Sequence, residues 1–261
     1  GYHQYDSVVV HRSRWPCGRH RRNPPLTQTE TRVTVKTRLI DYRDGDCVFE
    51  GMLAWDDAIE GPRPGVIIAH TIRGRSRFEE GKAELLAGMG YAGFAIDVYG
   101  KEAIGGEFDD CREMMESLRN QRAVLQRRLL RALQALREQA EVDASRVAAI
   151  GYCFGGLCVL DIARTGEPIA GVVSFHGLFD PPGNTAGNRI QARILALHGW
   201  DDPLATPEQA VALGEELSSM GADWQLHCYG NVRHAFTNPA ADASTGVTVY
   251  NDAADRRSWA A

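Results

Sequence analysis

A chain of 261 residues, 44% hydrophobic and 24% charged, has ordinary globular composition and is long enough for one large domain with a substantial core. Its net charge of -5 argues against nucleic acid as the main partner, because phosphate binding needs a basic footprint. No uninterrupted apolar run approaches the roughly 18 residues that span a membrane, so no membrane partner is expected.

Six cysteines, at positions 17, 47, 111, 153, 158 and 228, include no CxxC pair and no Cys/His cluster with zinc spacing. Reduced thiols and a cytoplasmic location are the expectation, and no secretory signal pattern is visible at the N-terminus.

Residues 1–28 differ in texture from the rest of the chain. Arg12, Arg14, Arg19, Arg21 and Arg22 crowd together before Asn23-Pro24-Pro25 breaks the chain. They read as an N-terminal extension, non-native or arm-like, ahead of a single domain over 29–261. From Arg32 two alternating stretches, RVTVKTRLIDY and DGDCVFEGMLAW, meet at Asp44-Gly45-Asp46, which predicts an antiparallel hairpin at a sheet edge. Gly65–His70 is short, apolar and β-branched, as a buried parallel strand should be.

Thereafter the pattern alternates: helix about 77–89, strand Tyr91–Ile96, helix about 109–140, strand Arg146–Ile150 and helix 153–164. Strands Ile169–Phe175 and Arg193–His198 come next, then helix Pro207–Met220, strand Trp224–Tyr229 and a last helix near 252–260. The expected fold is α/β, with a mostly parallel sheet, helices on both faces and the hairpin at its N-terminal side. The long helix carries Arg112, Arg119, Arg122, Arg127, Arg128, Arg131 and Arg137, against Leu125, Leu129, Leu133 and Leu136 at helical spacing. That spacing puts the arginines mostly on a solvent face.

Between a predicted strand and a predicted helix stands Gly151-Tyr152-Cys153-Phe154-Gly155-Gly156. This is the nucleophile-elbow pattern with Cys in the place of Ser, and the glycines make room for a strained turn. Cys153 would sit at a helix N-terminus, where free N–H groups favour a thiolate. The Phe154 amide would point to the same spot as one oxyanion donor, and Ile72, one residue into the loop after Gly65–His70, is the candidate for the second. Cys158, one turn later among apolar residues, reads as packed and inert.

Of the eight histidines, His3, His11 and His20 belong to the arm, while His176 and His198 end strands and read as turn-shaping residues. His227 sits within a strand. His234, on a loop after the last strand, is placed to act as the base. Asp201 and Asp202, after the preceding strand, are both candidates for the acid that orients it, with Asp202 preferred directly before Pro203. The order Cys, Asp, His, with gaps of roughly 50 and 30 residues, is that of α/β-hydrolases.

The segments GYCFGG, LHGWDDP, HAFTNP and FAIDVYG resemble those of the dienelactone hydrolase family of α/β-hydrolases, in the same order across about residues 33–260. The resemblance implies a triad of Cys153, Asp202 and His234, an oxyanion hole from the Phe154 and Ile72 amides, and no metal or cofactor. It also implies a small-molecule ester or lactone substrate, with the chain a monomer or homodimer. The chain ends at Trp259-Ala260-Ala261, early for the last helix of this fold, and a trimmed C-terminus is expected.

Two positions depart from that family's pattern. Thr71 stands where members that open dienelactones usually carry a glutamate, and Asn238 where an arginine holds the substrate carboxylate. A neutral amide is a poor clamp for a carboxylate, which points away from dienelactone toward neutral, activated esters. Arg73 is a candidate cation beside the oxyanion loop, and Tyr99, Trp200 and Phe236 are candidates for an aromatic pocket. Phosphotriester promiscuity, a dienelactone hydrolase proper and a cysteine acyltransferase or peptidase stay open as activities of the same triad.

Overall fold

The alternation of apolar strands with amphipathic helices folds as its spacing requires. A computed structural model describes residues 34–261, and the expected arm over 1–28, with His3, His11, His20 and Cys17, lies outside the described residues. Strands β1 (Val35–Asp44) and β2 (Cys47–Asp56) form the expected hairpin. Strands β3 (Arg63–Ala69), β4 (Ala92–Ala95), β5 (Val142–Tyr152), β6 (Gly171–Phe175), β7 (Arg193–Gly199) and β8 (Asp223–Tyr229) complete an eight-stranded sheet of order β1-β2-β4-β3-β5-β6-β7-β8. Only the pairings made by β2 are antiparallel; from β4 to β8 every neighbour runs parallel.

Among the described residues there are six α-helices, five between strands and one after the last: α1 (Arg77–Gly88), α2 (Phe108–Asn120), α3 (Arg122–Arg137), α4 (Phe154–Arg164), α5 (Pro207–Ser219) and α6 (Asp252–Ala260). Ile67, Ile68, Phe94 and Leu129 are fully buried, as are all eleven residues of α4. A helix without a solvent face at the sheet centre fixes the residue before it with little freedom.

Two expectations are corrected. The helix expected over 109–140 is two helices, broken at Gln121, whose φ of -119° and ψ of 57° leave the helical region. No proline or glycine marks the break. It lies where Arg122 turns inward to grip Asp161 of α4 with Nε 2.7 Å and Nη2 2.5 Å from the two carboxylate oxygens. Arg122 is therefore buried rather than on a solvent face, and a tertiary ion pair overrides local helix propensity. Arg164 completes this buried group through a two-pronged pairing with Glu216 of α5 at 2.8 and 2.6 Å.

Candidate active site

The sheet order brings five loops side by side at the carboxyl ends of β3, β5, β6, β7 and β8. Cys153 follows β5 and caps α4 with φ 58° and ψ -118°, a conformation that costs on the order of 1–3 kcal/mol for a residue with a side chain. The surrounding glycines are obligatory on steric grounds. A Cβ on Gly151 would drive into the Gly155 carbonyl, and one on Gly155 into the Ala69 carbonyl. One on Gly156 would come within 2.6 Å of the Gly177 Cα.

His234, buried on the loop after β8, places Nδ1 2.7 Å from Asp202 Oδ2. The other Asp202 oxygen accepts the Leu204 amide at 2.8 Å, which holds the carboxylate in its turn. Asp201 is exposed, so of the two adjacent acids only Asp202 reaches the imidazole. The Nε2 side of His234 has no partner in strict hydrogen-bond geometry among the described residues, and its influence falls on the neighbouring Cys153 thiol.

The electrostatics follow from that pairing. Burial pushes the Cys153 thiol up, but the charge of His234 and the Phe154 and Ile72 amides aimed at the sulfur outweigh it, and the net direction is down. Burial acts against the His234 imidazolium, yet Cys153 and Asp202 raise it to about 10. The pair therefore favours thiolate and imidazolium together. Chemically, such an arrangement is able to offer a thiolate, an imidazolium proton and two amide N–H groups at one point.

The loop after β3 is held rigidly. Glu79, fully buried on α1, accepts the Thr71 amide at 3.1 Å and closes a capping box with Ser76. His70 contacts the Thr71 carbonyl through Nδ1 at 2.6 Å and accepts the Val98 amide on Nε2 at 3.3 Å. The Tyr99 hydroxyl donates to the Ile72 carbonyl at 3.1 Å. Asp97 accepts the Tyr99 amide at 2.8 Å, so the loop after β4 braces the loop after β3.

The expected aromatic pocket does not assemble. Tyr99 is buried with its hydroxyl engaged on Ile72, and Phe236 is fully buried, edge-on to His176 and Tyr229. Trp200 is exposed and lines a surface groove with Val211, Gly214, Trp224 and Leu226, a groove that does not include Cys153, Asp202 or His234. Asn238 is half-buried and accepts the Ala240 amide within its own turn. Thr71 is half-buried and accepts the Arg73 amide on its hydroxyl, while the exposed Arg73 guanidinium lies 5.5 Å over the Phe108 ring.

Residues that sequence reasoning missed are the supports: Glu79, His70 in its loop-bracing role, and Thr237, which contacts His176. Only Glu79 had a local signal, the Ser76-x-x-Glu79 spacing of a capping box. His198, fully buried, has no hydrogen-bond partner on either ring nitrogen among the described residues.

The strand order and the strained elbow define an α/β-hydrolase fold. The chain belongs to the dienelactone hydrolase family, whose sequence model matches residues 49–261. It is 38% identical, at a TM-score of 0.81, to a dienelactone hydrolase-like promiscuous phosphotriesterase from metagenomic libraries, covering 87% of this chain and 95% of that one. A probable 2-oxo-3-(5-oxofuran-2-ylidene)propanoate lactonase of Bradyrhizobium sp is 25% identical over 224 residues, 81% of this chain and 89% of that protein. The dienelactone hydrolase of Anabaena variabilis, 20% identical, shares the fold at a TM-score of 0.62 over 86% of this chain and 96% of its own.

Proposed function

We propose that this hydrolase cleaves carboxylic esters or lactones through a covalent thioester on Cys153. The carrying observation is the chain from Asp202 through His234 to a thiol on which two backbone amides converge. The thiolate attacks the carbonyl carbon, a C–S bond forms, and the oxyanion is held by the Phe154 and Ile72 amides. Collapse breaks the C–O bond, and the leaving alkoxide takes the proton of His234. Water then gives a proton to His234 as its oxygen attacks the thioester carbon, and breaking the C–S bond releases the acid and returns the thiolate beside the imidazolium. Asp202 keeps the imidazole oriented throughout. Neutral, activated esters fit a site in which Asn238 is engaged with its own turn rather than offering a cation.

Phosphotriester cleavage is a second reading, favoured by the 38% identical promiscuous phosphotriesterase. The same thiolate would attack phosphorus and expel an aryloxide, and water would then hydrolyse the S-phosphoryl enzyme.

Rapid quenching of turnover with p-nitrophenyl butyrate, followed by peptide mass spectrometry, tests the proposal. A butyryl group on the Cys153 peptide, with p-nitrophenol released before steady state, is expected. Acylation of a different residue would overturn it. For the second reading, release of p-nitrophenol from a diethyl aryl phosphotriester, lost in Cys153→Ala and unaffected by EDTA, is expected; no release at high enzyme concentration sinks it.

A further inference from the structure

His176 follows β6, the strand that lies between the strands carrying Cys153 and Asp202. It is a buried histidine with φ 38°, an uncommon backbone state for a residue with a side chain, and its amide is anchored on the Leu197 carbonyl at 2.8 Å. Both ring nitrogens are engaged, and on two different loops. Nδ1 accepts the backbone N–H of Cys153 at 3.1 Å, a donor that also reaches the Phe175 carbonyl at 3.0 Å. Nε2 lies 2.8 Å from the hydroxyl of Thr237, itself buried and three residues beyond His234. An accepting Nδ1 requires the proton on Nε2, so the ring donates to Thr237. The ring also stands edge-on to His234, centroids 5.2 Å apart at 68°.

We propose that His176 is a positioning residue that ties the nucleophile loop to the base loop, Cys153 N–H on one ring nitrogen and Thr237 Oγ1 on the other, and so sets the approach of Cys153 to His234. The tether works only as a neutral ring, because a protonated Nδ1 cannot accept the Cys153 amide. The groups around it enforce that state. Burial, the charge of His234 and the charge of Lys82 outweigh a backbone hydrogen bond that favours the charged ring and hold it well below the ordinary histidine range, and Tyr152, 6.0 Å away ring to ring, remains neutral because burial pushes its hydroxyl up. The imidazolium that pairs with the thiolate is then His234 rather than its neighbour.

This inference rests on Cys153 being the nucleophile, so Cys153→Ala is measured beside the variants. His176→Phe keeps a ring and removes both hydrogen bonds; Thr237→Val removes one; His176→Asn keeps an acceptor for the Cys153 amide. With p-nitrophenyl acetate, His176→Phe should lower kcat about tenfold to a hundredfold with KM little changed, the size expected for a small misplacement of reacting groups. Thr237→Val should lower it less, His176→Asn should recover part of the loss, and the double variant His176→Phe/Thr237→Val should be no slower than His176→Phe alone. The pH at which iodoacetamide alkylates Cys153 should rise in His176→Phe, because a displaced His234 supports the thiolate less.

A folded His176→Phe with wild-type kcat and alkylation profile would overturn the tether, and so would effects of the two substitutions that simply multiply. If His176→Phe does not fold, Thr237→Val and His176→Asn decide: wild-type kcat in both overturns it, and a kcat loss at unchanged melting temperature supports it. Full activity in Cys153→Ala would instead strike at the nucleophile assignment itself.

Discussion

The Tyr99 hydroxyl donates to the Ile72 carbonyl at 3.1 Å, which fixes the loop whose amide is aimed at Cys153. The aromatic ring that stacks on Phe154 thereby reaches both proposed oxyanion donors, one by ring contact and one by hydrogen bond. Tyr99→Phe keeps the stacking and frees the loop. A fall of about tenfold in kcat with KM little changed is expected for p-nitrophenyl esters, smaller than deleting a donor outright. Steady-state kinetics check this, and an unchanged kcat would mean the loop holds its shape without that hydroxyl.

Rate against pH should form a bell. The Cys153 thiol lies below its ordinary range, so activity rises as pH climbs through that lowered value and the thiolate appears. His234 is raised to about 10, and above that pH it loses the proton that the leaving group needs. The plateau therefore ends near the upper value. A single rising limb with no alkaline fall, measured on kcat/KM at constant ionic strength, would contradict the ion pair.

Asp202→Asn removes the carboxylate that raises His234 and leaves its shape. A fall in kcat of about a hundredfold to ten-thousandfold is expected, together with an alkaline limb displaced to lower pH. Asp201→Asn, on the exposed neighbour, should leave both unchanged.

Stability depends on a buried charge pair remote from the chemistry. Arg122→Met leaves the buried Asp161 carboxylate with only the longer 3.4 Å contact to Arg164, and removing one partner of a buried ion pair costs about 3–5 kcal/mol at most. Denaturant unfolding should show that loss, and Arg122→Met/Asp161→Leu should recover a large part of it. Equal loss in single and double variants would mean the damage comes from packing alone.

Features were legible in the sequence to the extent that they are local. The strands were legible because Gly65–His70 and Ile169–Phe175 are short, mainly apolar runs, which the structure forms as β3 and β6, and the elbow because Gly151, Gly155 and Gly156 stand at fixed offsets from Cys153. The break at Gln121 was not, because its cause is the Arg122–Asp161 pair, 39 residues apart in the chain. The supports of the site were hidden for the same reason: Glu79 shows its capping box locally, but its bond to the Thr71 amide exists only once α1 packs beside the loop. Tyr99 and Phe236 read as pocket walls because aromatic residues near a site look alike in sequence, whether they face substrate or hold the loop behind it.

Turnover of p-nitrophenyl acetate by the wild type and by Cys153→Ala, both with EDTA present, decides whether Cys153 is the nucleophile. Steady turnover in the wild type and background rates in the variant are expected, with the two proteins equally folded by circular dichroism. Activity retained in Cys153→Ala would contradict that role, because the convergence of His234, Phe154 and Ile72 on that sulfur would then serve no chemistry.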